Sequence, residues 1–280
     1  MVRIITFLCC LLLVESLPAQ TFSGLVVDAE TGLGIPFVNI GIPELGVGTV
    51  SNKNGEYRLT VKKENHMILF SSIGYKKKEV SAAGLTKNSL VRMYPKIEVL
   101  DEVVVEASRY GEDITLGYKL DNKGHSIGFG SRQLGTEIGA HIKVKKEAVL
   151  KSAHFTVNFT GADSLLFRVN VYDFAKEELG EKLTPRNIII RAPQKKGTFD
   201  VDLESYDILV KDDVLLSLEW VQDDDGKGNE GLMFRSKKGS GTNLYTKRTS
   251  FAEFKKLSDE VSVAPKLKIG FYLIAIQKSN

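Results

Sequence analysis

The sequence has only two cysteines, Cys9 and Cys10, and a single tryptophan in 280 residues. Both cysteines fall within the first ten residues, which argues against a disulfide scaffold, a thiolate enzyme and a cysteine-ligated zinc site. An excess of charge is missing too, because 38 basic and 35 acidic residues leave a formal net charge of +3. Binding to nucleic acid needs a concentrated basic excess, so we expect no nucleic-acid partner.

Long apolar runs are also lacking, since none reaches the roughly 20 residues that a bilayer-spanning helix needs. The apolar run at residues 4–14 has 11 residues, follows Arg3 and precedes the small residue Ala19. This order is typical of a secretory signal peptide, so we predict that residues 1–19 are removed on export together with both cysteines. The mature chain is then expected in the periplasm, at the outer-membrane periphery or on the cell surface, without a transmembrane segment.

The motifs of zinc peptidases and phosphate-binding loops are absent. None of the four histidines begins a His-x-x-Glu or His-Glu-x-x-His motif, and no Gly-Lys-Ser/Thr phosphate loop occurs. His141 and His154 lie on the polar sides of predicted strands, where solvated side chains are expected rather than a two-histidine site. We therefore predict that the protein is not an enzyme.

Short strands separated by turn signals follow the signal peptide. Tyr57, Leu59 and Val61 alternate with polar residues, which is the period of a half-buried strand. Asn54-Gly55 is a strong hairpin signal, and Asp28-Ala29-Glu30-Thr31-Gly32 is a second turn cluster. Residues 20–96 are therefore predicted to form a small β-sandwich.

Motifs along this region resemble those of a known family. They are Gly24-Leu25-Val26-Val27-Asp28, Thr31-Gly32, Pro36-Phe37-Val38-Asn39-Ile40, Gly48-Thr49-Val50-Ser51, Gly55-Glu56-Tyr57-Arg58-Leu59 and Phe70-Ser71-Ser72-Ile73-Gly74-Tyr75. As a set they resemble the carboxypeptidase-regulatory-like domain, a transthyretin-like β-sandwich common in envelope proteins of Bacteroidetes-type bacteria. One departure is Asn52, where the family's turn often carries Asp. The resemblance implies an accessory, non-catalytic domain.

The junction, residues 97–113, contains a valine-rich segment. Its residues are Asp101, Glu102, Val103, Val104 and Val105. The segment resembles a TonB box, an extended peptide that adds as a strand to an energy-transducing partner. The alternative, which we favour, is a last strand of the first sandwich or a tether. Only 175 residues follow Val105, too few for the plug and barrel of a TonB-dependent receptor, whose strands take about 10 residues each.

The region from 114 to 280 is rich in period-2 patterns. Leu267, Ile269 and Phe271 share one face of a predicted strand, and similar patterns recur eight or nine times. They favour a jelly-roll-like β-sandwich. One helix is predicted at residues 251–257, where Ser250 and Glu253 have capping-box spacing. The expected fold class is all-β, with a small transthyretin-like sandwich followed by a jelly-roll-like sandwich.

Candidate sites in this region are few. Asp223, Asp225 and Glu230 supply the oxygen ligands that calcium prefers, although a hairpin loop is the default interpretation. Asp200, Asp202 and Glu204 form a carboxylate ridge that is expected to be a solvated face. Trp220 keeps register with apolar neighbours and is expected in the core. The candidates for a ligand surface are three tyrosines, Tyr118, Tyr206 and Tyr245.

Together these observations predict an exported, non-catalytic envelope protein that binds or scaffolds a glycan, a peptide or an envelope protein. One alternative is an accessory of TonB-dependent uptake that acts through residues 101–105. Another is an unrecognised hydrolase in the second sandwich. No cofactor is expected apart from the possible calcium ion.

Overall fold

The computed structural model of the protein describes residues 20–61, 66–85, 89–96, 110–120, 124–129, 133–160, 165–193, 195–222, 231–260 and 266–278. The predicted signal peptide, residues 1–19, lies outside these ranges and stays a prediction. The regular secondary structure of the described residues is nearly all strand, and it forms two pairs of facing sheets. Within the same ranges, no helix has the length and apolar character that crossing a membrane requires. The predicted all-β fold with two β-sandwiches is confirmed.

The N-terminal sandwich consists of two small sheets. Its strands are β1 (Gln20–Asp28), β2 (Asn39–Ile42), β3 (Val47–Val50), β4 (Glu56–Val61), β5 (Met67–Ser71), β6 (Lys78–Ser81) and β7 (Ser89–Met93). One sheet has the order β4-β1-β7 and the other β3-β2-β5-β6. The predicted alternation in β4 is confirmed, because Tyr57, Leu59 and Val61 are buried in the core while the residues between them are exposed.

The turn before β4 is built by Asn52. Its Oδ1 accepts hydrogen bonds from the backbone N–H groups of Asn54 at 2.9 Å and Glu56 at 3.0 Å. Gly55 has a φ of 84°, and a Cβ at this position would lie 2.5 Å from the carbonyl oxygen of Val26. Glycine is therefore required at position 55, and the side-chain oxygen of Asn52 closes the turn.

The C-terminal sandwich pairs a six-stranded with an eight-stranded sheet. Its elements are β8 (Tyr110–Gly117), β9 (His125–Gly128), β10 (Glu137–Ile142), β11 (Ala148–Thr160), β12 (Leu166–Asp173), β13 (Ile188–Arg191), β14 (Gly197–Asp202), β15 (Leu209–Val210), β16 (Val214–Gln222), β17 (Leu232–Lys238), β18 (Leu244–Lys247), β19 (Lys255–Lys256), α1 (Leu257–Glu260), β20 (Leu267–Ile269) and β21 (Phe271–Lys278). The six-stranded order is β13-β12-β16-β10-β18-β19. The other sheet runs β20-β17-β11-β21-β8, with β9, β14 and β15 paired at its sides.

Aromatic side chains fill the space between these two sheets. Trp220 is 1% exposed and packs against Phe167 and Phe129, with ring centroids 5.8 and 5.4 Å apart. Phe271 forms edge contacts with Phe155 and Phe234 from neighbouring strands. The prediction that Trp220 belongs to the core is confirmed, and the same interior leaves no free face of the indole for a ligand.

The prediction of a helix at residues 251–257 is wrong. The segment is a turn that leads into β19, and a single helical turn, α1, begins only at Leu257. The hydroxyl of Ser250, the predicted cap, donates to Glu219 at 3.2 Å, while Thr249 Oγ1 accepts the hydrogen bond of the Ala252 N–H. The hydroxyl of Ser250 therefore binds a buried carboxylate and does not cap a helix. Thr249 stabilises a turn instead.

The six-stranded sheet is buried on both faces, contrary to the predicted half-buried pattern. Eight of the nine residues of β16 are buried, including Ser217 and Glu219 on the face turned away from the aromatic core. The N-terminal sandwich covers one end of this outer face, where Phe37 and Val50 pack against Val221. The turn at residues 249–252 covers part of the remainder.

Hydrogen bonds join the two sandwiches across this outer face. Arg168, which is 1% exposed, donates from Nη2 to the carbonyl oxygen of Phe37 at 2.7 Å and to Asn39 Oδ1 at 3.2 Å. Phe37 has a φ of 56°, an unfavourable value for a residue with a side chain, so the contact holds a strained backbone in place. Thr249 Oγ1 donates to the carbonyl oxygen of Gly46 at 2.7 Å.

Candidate functional site

A cleft of about 420 Å³ opens at one end of the C-terminal sandwich. It lies where the ends of β8 and β10 meet the beginning of β18 and one side of β20. These four strands bring Tyr118, His141, Thr242 and Lys268 to its walls. Its volume is in the range of small-molecule sites in proteins, which are about 300–1,000 Å³.

His141 is held between two carboxylates at the inner side of the cleft. Its Nε2 lies 2.7 Å from Asp213 Oδ2, and its Nδ1 lies 3.9 Å from Glu177 Oε1. The other oxygen of Asp213 accepts a hydrogen bond from the backbone N–H of Val144 at 2.9 Å. The ring also packs edge-on against Phe174 at 5.3 Å. Asp213 thus fixes the imidazole and is itself fully engaged.

Glu177 is fixed in the cleft wall by two partners. Its Oε2 accepts hydrogen bonds from Lys256 Nζ at 2.7 Å and from the Tyr245 hydroxyl at 2.8 Å, and these partners lower the pKa of Glu177. Burial and the bond to Glu177 raise the pKa of Tyr245. Lys176 and Glu177 have φ values of 56° and 64°, so a strained backbone presents this side chain.

The opposite wall combines an aromatic ring with positive charge. The ring of Tyr118 is 40% exposed, and Lys268 Nζ lies 4.9 Å from its centroid, a cation–π distance. Lys143 is exposed at the end of β10 and has no carboxylate partner among the described residues. The cleft thus offers an aromatic surface next to two ammonium groups.

Thr242 and Asn243 form the part of the cleft that precedes β18. Thr242 Oγ1 accepts a hydrogen bond from the backbone N–H of Leu244 at 3.1 Å. Asn243 is 3% exposed, and its Oδ1 accepts the N–H of Ile269 at 3.0 Å. Its Nδ2 is buried without a hydrogen-bond partner in the described part of the chain. An unused donor therefore lies in the cleft wall.

A buried ionic cluster lies on the same face of the six-stranded sheet as His141. Glu137 is fully buried, and its Oε2 lies 2.6 Å from Lys247 Nζ. Burial alone would raise the pKa of Glu137, but Lys247, Lys182 and the hydroxyl of Ser217 outweigh it and lower the pKa from 4.5 to about 2. The residue therefore stays ionised in the folded protein at neutral pH.

Two predicted sets of site residues lie outside the described residues. These are the predicted calcium ligands, Asp223, Asp225 and Glu230, and the TonB-box-like segment, residues 101–105. Both stay predictions. Among the residues that are described, no three His, Cys, Asp or Glu side chains are arranged to hold a metal ion.

The other candidates are dispersed over the molecule. Tyr118 lines the cleft and Tyr245 supports it through Glu177, whereas Tyr206 packs on Arg186 at 4.6 Å elsewhere. His154 belongs to β11 in the eight-stranded sheet, so it does not join His141 in a two-histidine site.

The structure also shows the contacts of His154 and the exposure of the carboxylate ridge. The ring stacks on Tyr272 with centroids 4.4 Å apart, its Nε2 lies 2.8 Å from Ser152 Oγ, and burial lowers the pKa of His154. Asp200, Asp202 and Glu204 are exposed, as expected for a solvated face.

One further sequence motif has the spacing of a catalytic site. Gly124-His125-Ser126-Ile127-Gly128 has the spacing Gly-x-Ser-x-Gly of a hydrolase nucleophile elbow. An elbow needs a sharp turn from a strand into a helix, but Ser126 lies within β9, which pairs antiparallel with β17. Ser126 Oγ accepts a hydrogen bond from Asn158. The motif is therefore part of a sheet and not an elbow.

The sequence patterns identify Tyr118 but miss most of the other cleft residues. Lys143, Glu177, Asn243 and Lys268 come from segments far apart in the chain, and no local motif links them. Lys143 and Lys268 each occupy the polar position of an apolar alternation, so each resembles an ordinary solvated residue of a strand.

Comparisons with known proteins agree with the N-terminal fold. Residues 22–105 match the family model of the CarboxypepD_reg-like domain, a regulatory-like, non-catalytic fold. The TonB-dependent receptor P3 of Formosa agariphila is 28% identical over 132 residues, which cover 47% of this chain and 12% of the receptor. The matched segment is thus a small part of that receptor.

Similarities to solved structures are weaker. The cysteine protease and lectin-like domains of Cwp84, a surface-layer-associated protein of Clostridium difficile, are 13% identical with a TM-score of 0.39, over 84% of this chain and 52% of that one. A DUF3823 family protein from Parabacteroides merdae is 6% identical with a TM-score of 0.21, over 90% of this chain and 98% of that one. TM-scores this low support no conclusion about function.

The family match covers the same residues whose motifs indicate the first sandwich, and the receptor similarity fits an envelope-associated protein. Residues 22–105 of this chain are therefore similar to a carboxypeptidase-regulatory-like domain.

Proposed function

We propose that this chain is an exported, non-catalytic protein of the bacterial cell envelope whose cleft binds a saccharide. The observation that carries the proposal is the half-exposed ring of Tyr118 at the wall of a polar cleft. Sugar rings pack their apolar C–H faces on aromatic rings, while polar side chains around the ring hydrogen-bond to the hydroxyls. An envelope location is supported by the similarity to a TonB-dependent receptor.

A binding role fits the chemistry of the cleft better than hydrolysis. The imidazole of His141 is tied to Asp213 at 2.7 Å through Nε2, so this nitrogen is not free to accept a proton from a nucleophile. Glu177 has a lowered pKa and is held by Lys256 and Tyr245, which makes it unsuited to act as a general acid. His141 Nε2 and Glu177 Oε2 are thus engaged within the protein, which supports ligand binding as the role of the cleft.

The test is binding of the mature protein to a glycan array, followed by calorimetry with the best saccharide. We expect Tyr118→Ala to weaken that binding by about tenfold or more, or about 1.4 kcal/mol, because it removes the stacking surface. Tyr206→Ala is the matched control, since Tyr206 packs on Arg186 away from the cleft. The proposal fails if the array shows no saccharide binding, or if Tyr118→Ala binds as tightly as the wild type.

A second function, docking to the TonB-dependent uptake machinery, is favoured by the comparison with the receptor. The match extends over 132 residues, which is longer than the span of the family model, 22–105. Residues 101–105 would add as a β-strand to the energy-transducing partner.

We expect this docking to be lost when residues 101–105 are replaced by five glycine and serine residues. This replacement keeps the length of the connection but removes the β-branched side chains that favour strand addition. The measurement is retention of the transducer by the immobilised protein. Unchanged retention would leave residues 101–105 with a structural role only, and Tyr118→Ala serves as the control that should leave the docking intact.

A further inference from the structure

We infer that the cleft selects a saccharide that carries a carboxylate, an inference that rests on the proposed saccharide binding. The polar groups left unused in the cleft are donors. Asn243 Oδ1 already accepts a hydrogen bond from Ile269, whereas Asn243 Nδ2 is buried and unpartnered among the described residues. Thr242 Oγ1 accepts from Leu244, so its hydroxyl hydrogen stays available. The partly exposed hydroxyl of Thr242 can therefore donate to an acceptor of the ligand.

The charges of the cleft also favour a ligand that carries a carboxylate. Its carboxylates are already paired, because Glu177 contacts Lys256 at 2.7 Å and Asp213 contacts His141 at 2.7 Å. The two ammonium groups are not, since Lys143 has no carboxylate partner in the described residues and Lys268 rests on the ring of Tyr118. The cleft therefore carries an excess of positive charge, which an anionic ligand compensates.

The position of Lys268 links this charge to the stacking surface. Its Nζ lies 4.9 Å from the centroid of the Tyr118 ring. A pyranose that packs on the free part of this ring would place a carboxylate at its edge beside the ammonium group. Charge-assisted hydrogen bonds of this kind are about twice as strong as neutral ones. A cleft of about 420 Å³ accepts only a small ligand, so one or two sugar units are recognised.

The experiment compares galacturonic acid with galactose, as monosaccharides and as oligomers of equal length, by calorimetry. We expect the acidic sugars to bind at least tenfold more tightly, and this preference to fall as salt screens the lysines. Lys143→Gln and Lys268→Gln should each weaken binding of the acidic sugars several-fold and leave binding of the neutral sugars unchanged. Lys145→Gln and Lys266→Gln are the controls, since both lysines are exposed outside the cleft lining.

The outcomes separate this inference from the proposed function. Equal binding of galactose and galacturonic acid, or acidic binding that both lysine variants retain, overturns the inference and leaves saccharide binding intact. Binding of neither sugar class, on the array or in solution, overturns both. A tripeptide of glutamate is the third probe. If it binds in place of every sugar, the cleft recognises acidic peptides and both proposals are wrong.

Discussion

Replacing Lys247 with methionine is expected to lower the free energy of unfolding by about 3–5 kcal/mol at pH 7, because it leaves a buried carboxylate without its partner. The carboxylate belongs to Glu137, which is fully buried and lies 2.6 Å from Lys247 Nζ. The measurement is urea unfolding followed by the fluorescence of Trp220. Lys255→Met is the matched control, since Lys255 is exposed on β19 and should change stability little.

The pH dependence of this effect has a definite sign. In the wild type the pKa of Glu137 is lowered from 4.5 to about 2, so its stabilising contribution is present above about pH 4.5 and is lost as the pH falls toward 2. Without Lys247, burial favours the protonated acid, so the deficit of Lys247→Met should begin to shrink as the pH approaches the usual carboxyl range from above and should continue to shrink toward pH 2. A deficit that stays constant down to pH 4 would contradict an unpaired Glu137.

A double variant, which also replaces the carboxylate of the pair, tests whether the unpaired charge causes the loss of stability. Adding Glu137→Gln to Lys247→Met removes the uncompensated charge, so part of the lost stability should return. A double variant as unstable as Lys247→Met alone would assign the loss to the packing of the lysine stem instead.

Arg168→Met is expected to cost about 3–5 kcal/mol as well, since it leaves the buried carboxylate of Glu219 without its cation. Arg168 Nε lies 3.6 Å from Glu219 Oε2, and both residues are at most 1% exposed. The variant also loses the two hydrogen bonds from Nη2 to Phe37 and Asn39. The strained backbone of Phe37 is then no longer held from the second sandwich.

Hydrogen exchange distinguishes this loss from a general weakening. We expect Arg168→Met to accelerate amide exchange most strongly at residues 37–50, in addition to lowering the unfolding midpoint. Arg58→Met, an exposed substitution on β4, is the control and should leave both quantities near the wild-type values. Faster exchange confined to β12, with residues 37–50 unaffected, would contradict a role for Arg168 in joining the sandwiches.

The N-terminal sandwich could be predicted closely because its information is local. The alternation in β4, the Asn52–Gly55 turn and the family motifs each involve residues close in sequence, and each agrees with the structure. Trp220 was also placed correctly, since its register with apolar neighbours is a property of one strand. Local periodicity suffices where one face of a strand is buried and the other is solvated.

The errors arise where polar side chains are buried by distant segments. Ser217 and Glu219 resemble a solvated strand face, yet both are fully buried, with Ser217 bound to Glu137 and Glu219 bound to Ser250 in the turn after β18. Ser250 has capping spacing, but Glu219 engages its hydroxyl and the helix does not form. The cleft was missed for the same reason. The burial and hydrogen bonds of these residues depend on segments distant in the sequence, so no local sequence pattern predicts them.

The position of β21 has a consequence for the order of folding. This last described strand lies between β11 and β8, and β8 leads directly to Tyr118. Among the described strands, β8 pairs with β21 alone, so the Tyr118 wall of the cleft takes shape only after β21 has been inserted into the sheet. Pairings between such distant segments form slowly. Because synthesis proceeds from the N-terminus, the first sandwich can form early, and the cleft is completed only after β21 has paired with β8 and β11.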